Sequence, residues 1–414
     1  MKGAGAVAVV VAVTALSLFY RSCLGVIAPE LTRDLGLTPE DLGNANGAFF
    51  LAMAVMQIPV GLLFDRYGPR RVVSSLTVLA VIAAALHGMV RSPGELVAAR
   101  LLLGVGCAGS FMGAITLFAL WYPGRHLATM LSRVFAFSQI GTFLAATPLA
   151  LAEGAIGWRW AFGAMATVTA AAGVLFYILV REPPGTAAGQ KPESLRDVIC
   201  GLIPAWRTPG LLPLLGVHTF AYASMATVLG LWAGPYLAHV HGMDGTTRGN
   251  VLFAMAAAQL LGILAFGPLD RIFDTRKWII VPGGICTVGL LGALALIPGL
   301  PAAAAVTLLI LFTGVTSYAV VIVAHGRSLF PDHLLGRGVT TVNIAQVVGL
   351  TLLPLITGPI VGAFAAQDAV PGVALPEIAY RAAFGAIGLL LAAGLAVYAA
   401  KAKDAKPSST QEQA

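Results

Sequence analysis

Charged side chains are scarce in this chain. They make up 10% of its 414 residues, whereas hydrophobic residues make up 58%. A soluble domain carries about 25% charged residues, so this composition excludes an ordinary soluble protein. The mean hydropathy of +0.87 indicates instead that most of the chain lies in lipid.

Cysteines are also few, and they are scattered. No two of Cys23, Cys107, Cys200 and Cys286 have a CxxC spacing, so neither a metal site nor a disulfide framework is indicated. No nucleophile–base pair and no cluster of metal ligands stands out either. We therefore expect no cofactor, no bound metal and no catalytic residue, and we predict that the protein is not an enzyme.

Long apolar runs fill most of the sequence. A helix that spans a bilayer needs roughly 20 apolar residues, and helices are favoured in lipid because they satisfy their own backbone hydrogen bonds. Twelve runs are long enough: 4–28, 44–64, 72–91, 96–121, 128–152, 158–180, 210–238, 250–269, 277–298, 301–325, 338–366 and 378–400. We interpret the first run as a span and not as a signal peptide. Arg21 interrupts it, no small-residue cleavage site follows, and eleven further runs come after it.

Positive charge is distributed unevenly between the loops. With the N-terminus inside, seventeen Lys and Arg residues fall in cytoplasmic segments, five in outer loops and three within predicted spans. This asymmetry predicts a multi-pass protein of a bacterial-type inner membrane with both termini in the cytoplasm. We therefore attribute the net charge of +7 to membrane topology and not to nucleic acid binding.

One long polar stretch, residues 181–209, interrupts the apolar runs. It divides the chain into a six-span bundle at 1–180 and another at 210–400, and a polar tail at 401–414 is expected to be disordered.

Within the polar stretch, Ser194 has the position of a helix cap. Apolar residues from Leu195 to Trp206 then recur at helical spacing. This pattern predicts a short amphipathic helix on the inner membrane surface. A helix that docks a partner protein is the alternative.

A basic loop follows the second apolar run and recurs, in weaker form, in the second half. Residues 61–71 include the pair Asp65 and Arg66, and residues 267–277 include Asp270 and Arg271, 205 positions later. A basic loop at the same place in each half suggests two similar membrane bundles. Transporters that work by alternating access are built in this way.

The residue types of this loop indicate a role in holding helices together. Gly61 permits close helix approach. Asp65 ends the second span, where its carboxylate can meet a helix N-terminus or a basic side chain. A loop that only sets membrane topology is the alternative, but such a loop would need neither Asp65 nor the glycines.

With these motifs, the chain resembles the major facilitator superfamily of secondary transporters over nearly its whole length. The matches to the family's loop motif are Gly61, Asp65, Arg66, Gly68, Arg70 and Arg71, interrupted by Pro69. Arg100 with Gly104 and the segment 157–162 also resemble family features. The resemblance implies an all-α integral membrane fold of 12 transmembrane helices in two six-helix bundles related by pseudo-two-fold symmetry. It also implies a gating set: Gly61, Asp65, Arg66, Arg70, Asp270 and Arg271.

Arg21 is the most informative single residue. It lies about seventeen residues into the first span, roughly 25 Å from the start of the helix. A charge at the centre of a span costs ~2.5–3.5 kcal/mol, so such a residue usually faces a cavity and marks function. The alternative is that its side chain snorkels to the outer headgroups.

Other polar residues within spans complete a candidate substrate site. His218 and Tyr222 lie at i and i+4 and share a helix face. The resemblance implies that spans one, four, seven and ten line a central cavity. The full candidate set is Arg21, Tyr20, Arg100, Gln139, His218, Tyr222, Asn343 and Gln346. Structural roles remain the alternative, because polar side chains also join neighbouring helices.

Carboxylates are missing from the middle of every predicted span. Asp65, Asp270, Glu30 and Glu153 all fall at span ends. A cavity with arginine and no acid is electropositive and attracts anions, which disfavours cationic drugs and amines. The first span resembles that of organic-anion symporters, although Tyr20 replaces the acid that often precedes the arginine. If transport is coupled to protons, His218 and Glu30 are the candidates.

We therefore expect a monomeric secondary transporter that moves a small carboxylate-type anion by alternating access. Its partners would be that substrate, the lipid bilayer and, in a symporter, protons, with no nucleic acid. Efflux of amphipathic compounds is one alternative function. A membrane sensor or scaffold that retains the fold without transport is another.

Overall fold

The computed structural model describes residues 4–122, 126–182, 206, 208–330, 335–364 and 374–407. The described residues form helices joined by short turns, without a strand. The amphipathic helix predicted after Ser194 lies outside these ranges except for Trp206, and so do residues 408–414 of the predicted C-terminal tail. The α-helices are α1 (Ala4–Leu35), α2 (Pro39–Tyr67), α3 (Pro69–Met89), α4 (Pro93–Trp121), α5 (His126–Ser138), α6 (Ile140–Leu144), α7 (Thr147–Leu179), α8 (Leu211–Thr227), α9 (Ala233–His239), α10 (Gly245–Phe266), α11 (Leu269–Ile272), α12 (Lys277–Leu296), α13 (Ala302–Thr316), α14 (Ala319–Ser328), α15 (Leu335–Gly362) and α16 (Glu377–Lys401). A π-helical segment, Val228–Trp232, joins α8 to α9.

Eleven stretches of the described chain are long and apolar enough to cross a membrane. One of them, Thr129–Leu179, has 51 residues. At 1.5 Å per residue it would be about 76 Å long, more than twice the thickness of a hydrocarbon core. Gly157 divides it, because its backbone has φ 77° and ψ 155°, which is not helical. The stretch is therefore two spans, and the predicted all-α fold of twelve spans in two six-helix bundles is confirmed.

The first span differs from its predicted extent. The apolar run ends near residue 28, yet α1 continues to Leu35, with Pro29 inside it. The helix stops where Gly36 adopts a positive φ of 64°, a conformation that costs glycine little. Glu30 and Arg33 are consequently on the last turns of the helix and not in a loop. Below, the face where α1 begins is called the near face, and the face where it ends is called the far face.

The two halves repeat one capping arrangement at the near face. In the first half, Glu182, just past α7, accepts the backbone N–H of Arg70 at 2.6 Å. In the second half, Asp404, just past α16, accepts the backbone N–H groups of Arg276 and Lys277 at 3.1 and 2.9 Å. Each acid therefore caps the third span of its half. Burial tends to raise the pKa of Asp404, but these hydrogen bonds and one from Thr275 outweigh that effect and lower it.

The halves meet mainly near the far face, through glycines that let backbones touch. A Cβ atom added to Gly25 of α1 would lie 2.6 Å from the carbonyl oxygen of Leu229. One added to Gly43 of α2 would lie 2.5 Å from the carbonyl oxygen of Pro354. Small residues allow such close packing of membrane helices. These contacts close the molecule at the far face.

In the first half, the close contact between α2 and α4 depends on Gly104 of α4 and not on Gly61. A Cβ atom at Gly104 would collide with the carbonyl oxygen of Phe49. A Cβ atom at Gly61, in contrast, would meet only the end of the Met112 side chain, at 3.9 Å. The expectation that Gly61 permits a close helix approach is therefore not met in this conformation.

Gly104→Ala is expected to destabilise the protein by about 1–3 kcal/mol, because either α2 or α4 must shift to make room for a methyl group. Gly163→Ala is the matched control, since no atom lies within 4 Å of a Cβ atom at that helical position. Thermal unfolding of both purified variants in detergent measures the difference. Equal midpoints for the two variants would contradict this account of the α2–α4 contact.

Candidate functional site

A cavity of about 220 Å³ lies between the two halves, on the near side of the glycine contacts. Its wall is formed by spans from both bundles. Its polar lining residues are Thr14, Arg21, Gln57, Gln139, Tyr222, Gln259, Asn343 and Gln346. Large apolar side chains, among them Phe50, Phe111 and Phe135, form much of the rest. Among the residues that the structure describes, Arg21 is the one charged residue in this lining.

Arg21 sits where the main cavity continues toward the far face. It also borders a second, small space of about 30 Å³, together with Ser22, Tyr222 and Gly230. Within the described chain no carboxylate forms an ion pair with it, and its Nε atom is buried without a hydrogen-bond partner. The side chain thus lies along the cavity and not against the lipid headgroups. A partly buried guanidinium that lines a cavity and has no counter-ion among the described residues is a strong attractor for an anion.

Five predicted substrate residues converge on this cavity: Arg21, Gln139, Tyr222, Asn343 and Gln346. Gln259, also a polar residue within a span, joins them. Sequence reasoning missed Gln57 and Thr14 as lining residues. Gln57 carried a usable signal, because an amide near the middle of an apolar run needs a polar neighbour or an aqueous cavity.

Tyr20 does not reach the cavity. Its side chain is fully buried, and its hydroxyl lies 2.8 Å from Oγ1 of Thr169 and donates to the carbonyl of Met165 at 3.3 Å. Neighbouring residues of a helix point about 100° apart. Tyr20 therefore faces α7 while Arg21 faces the cavity.

Arg100 is also absent from the cavity lining. It is fully buried inside the first half. Its guanidinium donates to the carbonyl oxygen of Tyr20 at 2.7 Å and to Oδ1 of Asn46 at 3.1 Å. It also lies 4.6 Å from the centre of the Phe49 ring. Arg100 thus joins α1, α2 and α4, and it holds the backbone of α1 one residue before Arg21.

His218 lies in the core of the second half and is 1% exposed. Neither ring nitrogen has a hydrogen-bond partner among the described residues. Tyr222, one turn later on α8, lines the cavity, whereas His218 does not. The shared face predicted for the pair therefore does not bring both residues to the cavity.

Glu30 forms an ion pair across the two halves. Its carboxylate accepts from Arg248 of α10 at 2.5 Å, and the side chains are 14% and 5% exposed. Close by, Oγ1 of Thr147 donates to Oδ1 of Asn250 at 2.9 Å. Glu30 is thus outside the cavity, at the closed far face. Because breaking a buried ion pair leaves an unpaired charge, this contact favours the closed arrangement.

The predicted gating residues lie at the near face, mostly bound within their own half. Arg70 donates to the carbonyl oxygen of Tyr177 at 3.0 and 2.6 Å. Asp65 and Arg66 are exposed. In the second half, Asp270 pairs with Arg276 at 3.4 Å, and Arg271 is exposed. In this conformation the cavity lies on the near side of the far-face closure, and these two pairings stay inside the separate bundles.

Comparison with known proteins identifies a family whose model matches most of the chain. The family model described as Major Facilitator Superfamily matches residues 10–354. A probable sulfoacetate transporter of Cupriavidus necator is 26% identical over 286 residues, which is 66% of each chain. A quinolone resistance transporter of Acinetobacter baumannii is 29% identical over 152 residues, 35% of each chain. The chain thus matches just under two thirds of the first relative and about a third of the second.

The fold also has solved counterparts. The structure of a bacterial homologue of the human lysosomal transporter Spinster, in an inward-facing and occupied conformation, superposes with a TM-score of 0.77. The alignment covers 96% of both chains at 17% sequence identity. At this identity the likeness supports the fold alone.

Glu30→Gln or Arg248→Gln is expected to loosen the closure at the far face. The measurement uses a protein without native cysteines that carries Ser22→Cys, beside Arg21. The rate at which a membrane-impermeant maleimide, added from the far side, labels this cysteine reports how often the far face opens. We expect labelling at least about tenfold faster, since the unpaired partner no longer favours the closed state. The exchange Glu30→Arg with Arg248→Glu should restore slow labelling, and Arg33→Gln should leave it unchanged. Equal rates in all variants would contradict a closing role for the pair.

Proposed function

Because the chain belongs to the Major Facilitator Superfamily, we propose that it is a secondary transporter and that it moves a small organic anion by alternating access. The observation that carries the proposal is Arg21, a cation in a cavity between two helical bundles that has no carboxylate partner in the described part of the chain. Such a site attracts negative charge. The relative named for sulfoacetate, itself an anion, supports the same substrate class.

In this proposal the substrate is bound by charge at one end and by amides around it. Arg21 pairs with the carboxylate or a similar oxyanion, because its planar guanidinium matches that geometry. The amide side chains of Gln139, Gln259, Asn343 and Gln346 can donate to and accept from hydroxyl or keto groups. Tyr222 adds a hydroxyl beside Arg21. Tyr20 and Arg100 then act as positioning residues that hold α1.

The positive-inside asymmetry supports the orientation. The near face is then cytoplasmic, both termini are inside, and the protein works as a monomer in a bacterial-type inner membrane, without a nucleic acid partner. The proposed units remain two bundles at 1–180 and 210–400, a linker at 181–209 and a tail at 401–414. The described state is then closed to the outside.

The proposed gate at the near face uses the loop motif. When the cavity closes to the cytoplasm, the ends of the bundles must approach each other there. Asp65, Arg66 and Arg70 in one half and Asp270 with Arg271 in the other are charged groups at that face, where they can hold the closed state. Gly61 has spare room around it in this state, which leaves space for a helix to come closer.

We further propose that transport is coupled to protons, and Glu30 is the better supported coupling site. A proton on Glu30 removes the charge that attracts Arg248, and this weakens the closure at the far face. Binding of a proton from outside would thus be linked to opening on that side. His218 is the second candidate, but it lies away from both the cavity and the closure.

Efflux of amphipathic compounds is the second candidate function. Two observations favour it: the cavity wall includes Phe50, Phe111 and Phe135, and one relative is named for quinolone resistance. Resistance to amphipathic drugs in a strain that lacks or overproduces the protein separates this function from anion uptake.

Arg21→Ala is expected to reduce uptake of the transported anion at least about tenfold, because a charged hydrogen bond contributes ~1.5–3 kcal/mol. Arg21→Lys should retain part of the uptake, since it keeps the charge but loses the two-pronged geometry. The measurement is uptake of labelled carboxylates and sulfonates into membrane vesicles. Arg91→Ala, at an exposed far-face position, is the control. Normal uptake of every substrate by both Arg21 variants would overturn the assignment.

Glu30→Gln is expected to abolish the response of uptake to a pH gradient while substrate exchange between the two sides continues. The physical reason is that glutamine cannot gain or lose the proton that controls the contact with Arg248. His218→Gln, tested in parallel, should keep the pH response. If only His218→Gln loses it, the coupling site is His218, and if neither variant does, the protons do not act through these residues.

A further inference from the structure

A basic pocket lies at the near face, outside the central cavity. Its lining is Arg66, Tyr67, Arg70, Arg71, Arg181 and Glu182, and its volume is about 340 Å³. The turn between α2 and α3 forms one side, and the end of α7 forms the other. Neither the proposed transport cycle nor the cavity uses Arg71 or Arg181.

We propose that this basic pocket binds the phosphate group of an anionic phospholipid. Four guanidinium groups surround one carboxylate, and that carboxylate is already occupied by the backbone N–H of Arg70 at 2.6 Å. Asp65, which precedes the turn, does not line the pocket. Even with Asp65 counted, positive charge remains in excess by about two, since arginine stays protonated. Phosphate is the anion that the arginine fork binds best among membrane components.

Two of the arginines are available for a ligand. Arg70 is held by the carbonyl oxygen of Tyr177 and lies 4.5 Å from the centre of that ring. The side chains of Arg71 and Arg181, in contrast, are exposed, and no hydrogen bond or ion pair fixes them within the described ranges. When Arg71 and Arg181 bind a ligand, their side chains therefore lose conformational freedom, but they break no hydrogen bond or ion pair within the described ranges.

The surroundings favour a lipid over a soluble phosphate. Just before Arg181, the side chains of Tyr177, Ile178 and Leu179 are 53%, 56% and 42% exposed. In a spanning helix such apolar side chains face the acyl chains, so the basic pocket opens beside lipid. In the proposed orientation this face meets the cytoplasmic leaflet, where basic pockets between spans bind anionic headgroups.

The second half provides an internal comparison. At its corresponding turn, Arg276 pairs with Asp270 at 3.4 Å. The ammonium group of Lys277 donates to the carbonyl oxygen of Ala402 at 2.8 Å. Arg276 and Lys277 therefore already have partners in the protein, although Nη1 of Arg276 has no hydrogen-bond partner among the described residues. The three basic side chains of this turn, Arg271, Arg276 and Lys277, are matched in number by the carboxylates of Asp270, Asp274 and Asp404. The excess of positive charge is therefore a property of the first half.

The test is lipid binding by the full-length protein in neutral detergent. Phosphatidylglycerol and phosphatidylcholine with matched acyl chains are titrated, and bound lipids are counted by native mass spectrometry alongside the thermal midpoint. We expect one phosphatidylglycerol to bind in preference to phosphatidylcholine and to raise the midpoint. Arg71→Gln combined with Arg181→Gln should weaken its binding about tenfold. Arg33→Gln combined with Arg91→Gln makes the same change in charge at exposed far-face positions and should have no effect.

Three outcomes would overturn the proposal. The first is equal binding of the two lipids by the unaltered protein. The second is equal loss of binding in both double variants, which would indicate only a general effect of net charge. The third is an equal rise in the thermal midpoint when glycerol phosphate is added in place of the lipid, which would make the ligand a soluble phosphate and not a lipid. Because the readout is binding, a protein that fails to transport anions would leave this result unaffected.

Discussion

The cavity depends on the charge of Arg21. This guanidinium is held between helices in a membrane and has no carboxylate partner among the described residues. Arg21 cannot be left in hydrocarbon at acceptable cost, so the space beside it must be polar. The amides of Gln139, Gln259 and Gln346 provide that environment without neutralising the charge. A carboxylate in the same place would satisfy the arginine permanently and remove its attraction for an anionic substrate.

The position of Arg21 is set by a second buried arginine. Arg100 binds the carbonyl oxygen of Tyr20 and the side chain of Asn46, and Tyr20 binds Thr169 on the opposite side. The backbone of α1 is thus held from two directions one residue before the cavity. Two arginines of the same chain therefore have different roles: one lacks a protein counter-ion, while the other is satisfied by neutral acceptors.

Closure at the far face uses both packing and charge. The glycines at positions 25 and 43 bring backbones into contact, and the ion pair of Glu30 with Arg248 adds an electrostatic contact between the same halves. Packing of this kind is short-ranged, so a small separation removes it. An interface built from close glycine contacts and an ion pair can open and reform as a unit, which suits a protein that alternates between two arrangements.

The sequence by itself determined the environment and the architecture. Low charge and twelve apolar runs indicate a membrane protein of helices, because runs of about 20 apolar residues match a spanning helix that satisfies its own backbone in lipid. The repeated Asp-Arg loops indicated two bundles, and Arg21 was recognisable as a residue that needs a cavity. Tertiary structure alone decided where side chains point and which groups meet. The spacing of His218 and Tyr222 places both on one helix face, but it could not show that only Tyr222 lines the cavity. Nothing local indicated that Glu30 would contact Arg248, which lies 218 positions away. Helix rotation and the distance between bundles arise from packing over the whole molecule, and the pattern of a single helix does not contain them.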